Sequence, residues 1–255
     1  GVSNMVEVPL GVDLQTFHPG RADPAVRARY AREDETLIVY CGRLSADKRP
    51  ELAVDTIATL RAGKTPAVLV LAGDGSRRAA LAYRSARLPV RFAGHIADRG
   101  AVAALLASAD AVLVPGPVET FGLAALEAMA CGTPVVVQAA GALPELVGDA
   151  GVAVSGTPAG FADGVRRLLQ RPEAQRRAAA RARAERFGWP QAVDGFLRAH
   201  RARTAADPVV TAPIPGRQRP PTALRPSVPT RQPVSVRGSL AWARLPGETI
   251  RAEHT

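Results

Sequence analysis

The sequence predicts an α/β protein built on a parallel sheet with helices on its flanks, and three observations carry that prediction. Between residues 36 and 203, short apolar runs of strand length alternate with helix-length amphipathic stretches, the pattern of parallel strands joined by crossover helices. Gly42, Gly94 and Pro115 follow these runs directly and Gly73 one residue later, which places turns at the carboxyl ends of the strands. No uncharged apolar stretch of the ~18 residues that a membrane span needs is present.

Taken in order, the predicted strands cover residues 36–41, 67–71, 90–93, 111–114, 135–137 and 151–154, with helices among the intervening stretches at 50–61, 101–108 and 123–130. After Gly160 the chain turns rich in Arg and Ala, predicting helices over 162–169, 173–187 and 190–203, broken at Pro172 and at Gly188-Trp189-Pro190 and covering the sheet edge. Nine of the 52 residues from Thr204 onward are proline and no periodicity survives there, so a disordered Pro/Arg-rich tail is expected. Within it, residues 239–245 (SLAWARL) read as a cluster without a partner rather than as a docking helix. The expected organisation is a linker and domain start at 1–35, a ligand-binding domain at 36–203 and a tail at 204–255.

The formal net charge is +10, of which the tail holds +4 (seven Arg against Asp207, Glu248 and Glu253) and the body the remaining +6. Neither part is extreme. No recognition-helix motif or aromatic platform accompanies the charge, so no nucleic-acid partner is expected. The two cysteines, Cys41 and Cys131, sit in apolar segments and read as buried thiols, too sparse for a disulfide framework or a metal cluster. The first twenty residues lack a basic region followed by an apolar run, so a cytoplasmic location is expected.

The candidate chemistry lies at the carboxyl ends of two strands, where open α/β sheets bind ligands. After the fourth run comes VETFGLAALEAMACGTPVV at 118–136, a loop opening a helix at about Phe121. It carries Glu119 in the loop and, eight residues on, Glu127 inside the helix, a spacing that lets both face one side. The amides near Phe121, Gly122 and Leu123 are those of a helix start, a ready anion site, and Gly122 has no side chain to obstruct a phosphate. After the first run comes GRLSADKRPELAV at 42–54, whose Arg43 and Lys48 are two cations suited to a diphosphate leaving group.

Together with PLGVDLQTFHP at 9–19, LVLAGDG at 69–75 and VRFAGHI at 90–96, these segments occur in an order that resembles the carboxyl-terminal, donor-binding domain of retaining GT-B glycosyltransferases of family 4, which include bacterial mannosyltransferases. The resemblance implies a Rossmann-like sheet forming one half of a GT-B fold. It implies that Arg43 and Lys48 hold the donor diphosphate and that Glu119 meets the hydroxyls of the transferred sugar, these three carrying catalysis. Glu127 would bind the nucleotide ribose, the main chain at Phe121, Gly122 and Leu123 the phosphate and sugar. Gly94, His95 and Ile96 would lie beside the nucleobase, and Gly73 would border the cleft. The implied donor is GDP-mannose, with a UDP-sugar as the alternative, and no cofactor or metal is implied, in keeping with the lack of an Asp-x-Asp motif.

Whole members of that family carry an amino-terminal domain that binds the acceptor. The resemblance covers about residues 5–200, so the acceptor half is expected to be missing from this chain and a separate acceptor domain is an implied partner. The acceptor itself would be a sugar or a lipid-linked sugar, with peripheral contact to the inner membrane face. The alternative reading is a non-catalytic nucleotide-sugar-binding or regulatory subunit. An NAD-dependent dehydrogenase is disfavoured because no G-x-G-x-x-G joins a first strand to its helix. In whole members the last helix crosses to the other domain, so Phe196 and Leu197 are expected to be exposed here.

Overall fold

The computed structural model describes residues 8–119 and 121–206, the last six as helical backbone alone. The proline-rich tail and its residues 239–245 lie outside the described residues. Six strands, β1 (Thr36–Cys41), β2 (Ala67–Ala72), β3 (Val90–Gly94), β4 (Ala111–Val114), β5 (Val135–Gln138) and β6 (Val152–Val154), agree with the predicted runs to within one residue at each end. They form one sheet in the order β3-β2-β1-β4-β5-β6, with every neighbouring pair parallel. The chain order reverses between β1 and β4, so the loops leaving these two strands part and open a crevice.

Both faces of the sheet are covered, which is why the strand sequences are apolar at successive positions. On one face Ile38 and Tyr40 of β1 pack with Leu52, Ile57 and Leu60 of helix α2 (Pro50–Ala62) and with Phe161, Val165 and Leu168 of α7 (Pro158–Leu169). On the other, Leu37 and Val39 pack with α4 (Arg99–Ser108), α5 (Leu123–Ala130) and α8 (Glu173–Glu185). The expectation that the late helices cover the sheet edge is therefore corrected: α7 lies on one face and α8 on the other. Gly164 shows how closely α7 sits, since a Cβ there would come 2.7 Å from Val136 Cγ1.

Helix α4 begins at Arg99, two residues before the predicted start, because the Asp98 side chain accepts from the Gly100 amide and caps it. Three short helices complete the shell: α1 (Pro24–Tyr30), α3 (Arg78–Arg84) and α6 (Leu143–Val147). The stretch ahead of α1 is packed into the body. The Val12 amide donates to Phe187 O at 2.8 Å, and Phe17 is fully buried in the core.

The arginines of α8 are not a solvated face. Arg177 donates to Ala107 O and Ala109 O, Arg183 to Leu146 O and Glu145 O, and Arg181 Nη1 to Phe17 O at 3.0 Å and Ala130 O at 2.8 Å. Apart from Phe17 O, in the stretch ahead of α1, these carbonyls lie at the ends of α4 and α5 and within α6, where helices leave acceptors unpaired. Arg181→Met keeps the stem and strips the donors, so it should cost about 1.5–3 kcal/mol, read as a lower urea midpoint with an unchanged slope.

The last helix, α9 (Trp189–Ala206), leaves Trp189, Val193, Phe196 and Leu197 about half exposed, on one stripe at helical spacing. Among the described residues no helix is long and apolar enough to cross a membrane.

Candidate functional site

The loops leaving β1, β2 and β3 run side by side past the sheet and form the floor of a cleft. The Gly42 amide donates to Ala72 O at 2.9 Å, the Gly73 amide to Gly94 O at 2.7 Å, and the Leu44 amide to Asp74 O at 2.9 Å. Gly73 has φ +145° and its missing Cβ would stand 1.9 Å from Gly42 O, so the two loops can approach only because this residue has no side chain. The Tyr40 hydroxyl donates to Arg43 O at 2.7 Å and braces the turn from below, and burial pushes the phenol's pKa up.

The cleft above this floor encloses about 410 Å3, the size of a small-ligand site. Cys41, Gly42 and Arg43 line it at the end of β1, Ala72, Gly73 and Asp74 at the end of β2, and His95 and Ile96 after β3. The far wall is Arg99 and Val102 of α4, Glu127 of α5 and the buried Phe17. Burial holds the Glu127 carboxyl above the usual carboxylate range, and the Arg99 guanidinium opposes it. Beneath, burial and then the Glu127 charge push the Cys41 thiol up to about 11, which keeps it a neutral apolar surface at neutral pH.

Lys48 and Glu119 meet across the crevice between β1 and β4. Lys48 ends a 3-10 turn, Ala46–Lys48, and its Nζ donates to Glu119 Oε1 at 2.7 Å, with the side chains 25% and 17% exposed. The pair is thus partly sheltered, which makes it stronger than a surface ion pair. Gly116 permits the approach: a Cβ there would lie 3.3 Å from Lys48 Cα and 3.6 Å from Glu119 Oε1. Arg43 is exposed and pairs loosely with Asp47 at 3.2 Å.

Of the predicted site residues, Arg43, Gly73, His95, Ile96 and Glu127 line one cleft. Gly94 ends β3 beside it with open space around its missing side chain. Lys48 and Glu119 stand together as a pair rather than on the cleft lining. Helix α5 spans the expected 123–130, with Glu127 inside it and Glu119 in the loop four residues ahead, and Gly122 between them takes the left-handed φ of +83°. The helix therefore does not open at Phe121, whose half-buried ring packs edge-on against Phe187 with centroids 6.5 Å apart. Gly122 has no room for a side chain, since a Cβ would sit 2.3 Å from Leu143 Cδ2. Leu123 is exposed, and among the described residues no side chain caps the start of α5.

Phe17, Cys41, Asp74, Arg99 and Val102 are lining residues that the sequence reading did not single out. Phe17 stands inside the segment at 9–19, whose pattern was the available signal. Arg99 offered none, being one Arg among many at a helix start. Among the described residues no three His, Cys, Asp or Glu side chains come together as a set for a metal ion.

Comparison with known proteins adds three findings. The family model described as "Glycosyl transferases group 1" matches residues 23–185. The GDP-mannose-dependent alpha-(1-6)-phosphatidylinositol dimannoside mannosyltransferase of Mycobacterium tuberculosis is 49% identical over 198 residues, covering 77% of this chain and 52% of that protein. Among solved structures, sucrose-phosphate synthase from Thermosynechococcus elongatus superposes with a TM-score of 0.64 at 27% identity, over 78% of this chain and 53% of that one. The carboxyl-terminal domain of the group 1 glycosyl transferase LpcC from Francisella tularensis does so with a TM-score of 0.53 at 24% identity, over 73% of this chain and 98% of that one. The chain spans about half the length of the curated relatives it matches.

Proposed function

Because the chain belongs to the group 1 glycosyl transferases, we propose that its cleft holds a nucleotide-sugar donor and that the chain is the donor half of a retaining mannosyltransferase. The observation that carries this is the joint geometry at the carboxyl edge. A cleft with a partly buried carboxylate, Glu127, and a glycine floor lies beside a cation and a second carboxylate poised across the crevice. In this reading the nucleoside occupies the cleft with its base by His95 and Ile96 and its ribose hydroxyls donating to Glu127. The diphosphate meets Arg43 and Lys48, which take up charge as it leaves, and the hydroxyls of the transferred sugar donate to Glu119.

The Lys48–Glu119 pair gives this scheme a resting state. Without donor each group neutralises the other, and the donor replaces that contact with two, phosphate on Lys48 and hydroxyl on Glu119. Charge neutralisation is assigned to Arg43 and Lys48 rather than to a metal. Mannose and guanine are favoured by the 49% identity to a protein whose name states GDP-mannose dependence. The same name favours a lipid-linked sugar acceptor, held by a separate acceptor domain at the inner membrane face.

The test is calorimetric titration of the folded chain with GDP, UDP, GDP-mannose and UDP-glucose, with and without EDTA. The expected result is micromolar binding of the guanine nucleotides, weaker binding of the uracil ones and no effect of EDTA. A folded chain that binds none of the four overturns the reading, and preference for UDP-glucose overturns the donor.

A further inference from the structure

Arg99 stands between two groups contributed by distant parts of the chain. Its guanidinium lies over the Phe17 ring, 5.1 Å from the centroid, a cation–π geometry. Its Nη2 stands 3.6 Å from Glu127 Oε1. Phe17 is buried and so gives the guanidinium a fixed seat. At 3.6 Å the contact with Glu127 is an ion pair without a hydrogen bond, so charge is supplied while the carboxylate oxygens keep their lone pairs for a ligand.

We propose that Arg99, seated on Phe17, is a positioning residue for the donor, keeping Glu127 ionised and directed into the cleft so that it can accept from the ribose hydroxyls. The proposal rests on the assignment of the cleft to a nucleotide. Glu127 is 23% exposed, and burial alone favours its protonated form. The other titratable groups around it do not offset this. The thiols of Cys41 on β1 and Cys131 after α5 are both raised, in part by Glu127 itself. Arg43 and His95 share the cleft lining but come from the opposite loops, and Asp74 there adds negative charge. Arg99 is the cation in contact with Glu127.

The experiment compares the chain with its Arg99→Met, Arg99→Lys and Glu127→Gln variants and the Arg99→Met/Glu127→Gln double variant, using GDP and 2′-deoxy-GDP as probes from pH 5 to 8. Arg99 is largely exposed, so its loss leaves the fold intact. Arg99→Met should weaken GDP binding about fivefold at neutral pH, with a deficit that grows as pH falls, because removing the cation moves Glu127 protonation upward. The preference for GDP over the deoxy analogue should shrink in Arg99→Met, return in Arg99→Lys, and be equally small in Glu127→Gln with or without Arg99. Carbon-13 NMR of the Glu127 carboxyl, free of any ligand, should show a higher pKa in Arg99→Met. If the parent chain binds GDP while Arg99→Met leaves the deoxy preference, pH profile and Glu127 titration unchanged, the positioning role is overturned and the cleft assignment stands. If the parent chain binds neither probe, the cleft assignment falls and this role with it.

Discussion

Lys48→Ala should lower the affinity for GDP by about 10- to 100-fold while the chain remains folded. A charge-assisted hydrogen bond to phosphate contributes about 1.5–3 kcal/mol, and each 1.4 kcal/mol is about tenfold in affinity. The substitution also leaves Glu119, 17% exposed, without its partner, which adds repulsion toward the diphosphate. Glu119→Gln acts in the opposite sense on the same pair, because it releases Lys48 from its carboxylate. GDP should then bind as tightly or more tightly, whereas GDP-mannose loses a partner for its sugar. Calorimetry of the two variants with the two ligands separates these effects. Equal GDP affinity in Lys48→Ala and the parent would remove Lys48 from the site.

Gly73→Ala should be the most damaging single methyl that can be added at the ligand edge. The new Cβ would lie 1.9 Å from Gly42 O and 2.9 Å from Gly42 C, backbone atoms that cannot rotate away, and the φ of +145° is unfavourable for alanine in any case. Relief requires the β1 and β2 loops to part, breaking the hydrogen bonds from Gly42 and Leu44 to Ala72 O and Asp74 O. A loss of about 3–5 kcal/mol is expected, or roughly 6–15 °C in Tm at this chain length. Gly94→Ala is the matched control: φ is +72° but the added Cβ meets nothing within 4 Å, so only the conformational cost of about 1–2 kcal/mol applies. If both variants melt together, the close approach of the loops is not what holds the cleft floor.

The sheet was legible because both its faces are buried, so that AVLVLA at 67–72 reads as a strand without help from its surroundings. The glycines after β1, β2 and β3 were legible for a related reason, since a strand's end and a positive φ are local properties. What sequence periodicity missed are relations between distant positions. Nothing near Gly122 shows that Leu143 will occupy the space of its side chain, and so the glycine read only as room for a phosphate. Arg99 depends on Phe17, 82 positions before it, and on Glu127, 28 positions after it. The α8 arginines likewise look like a solvated face until the carbonyl ends of three other helices are placed beneath them.

Lysine occurs at only two positions, 48 and 64, and the fold puts them in opposite settings. Lys64 is exposed in the turn before β2, at the end of the sheet away from the cleft, whereas the Lys48 amine is held by Glu119. An amine-directed reagent therefore meets two side chains of unequal reactivity on one molecule, and the faster serves as an internal clock for the slower. The modification ratio of the two peptides reports whether the crevice between β1 and β4 is closed, without a label having to be introduced.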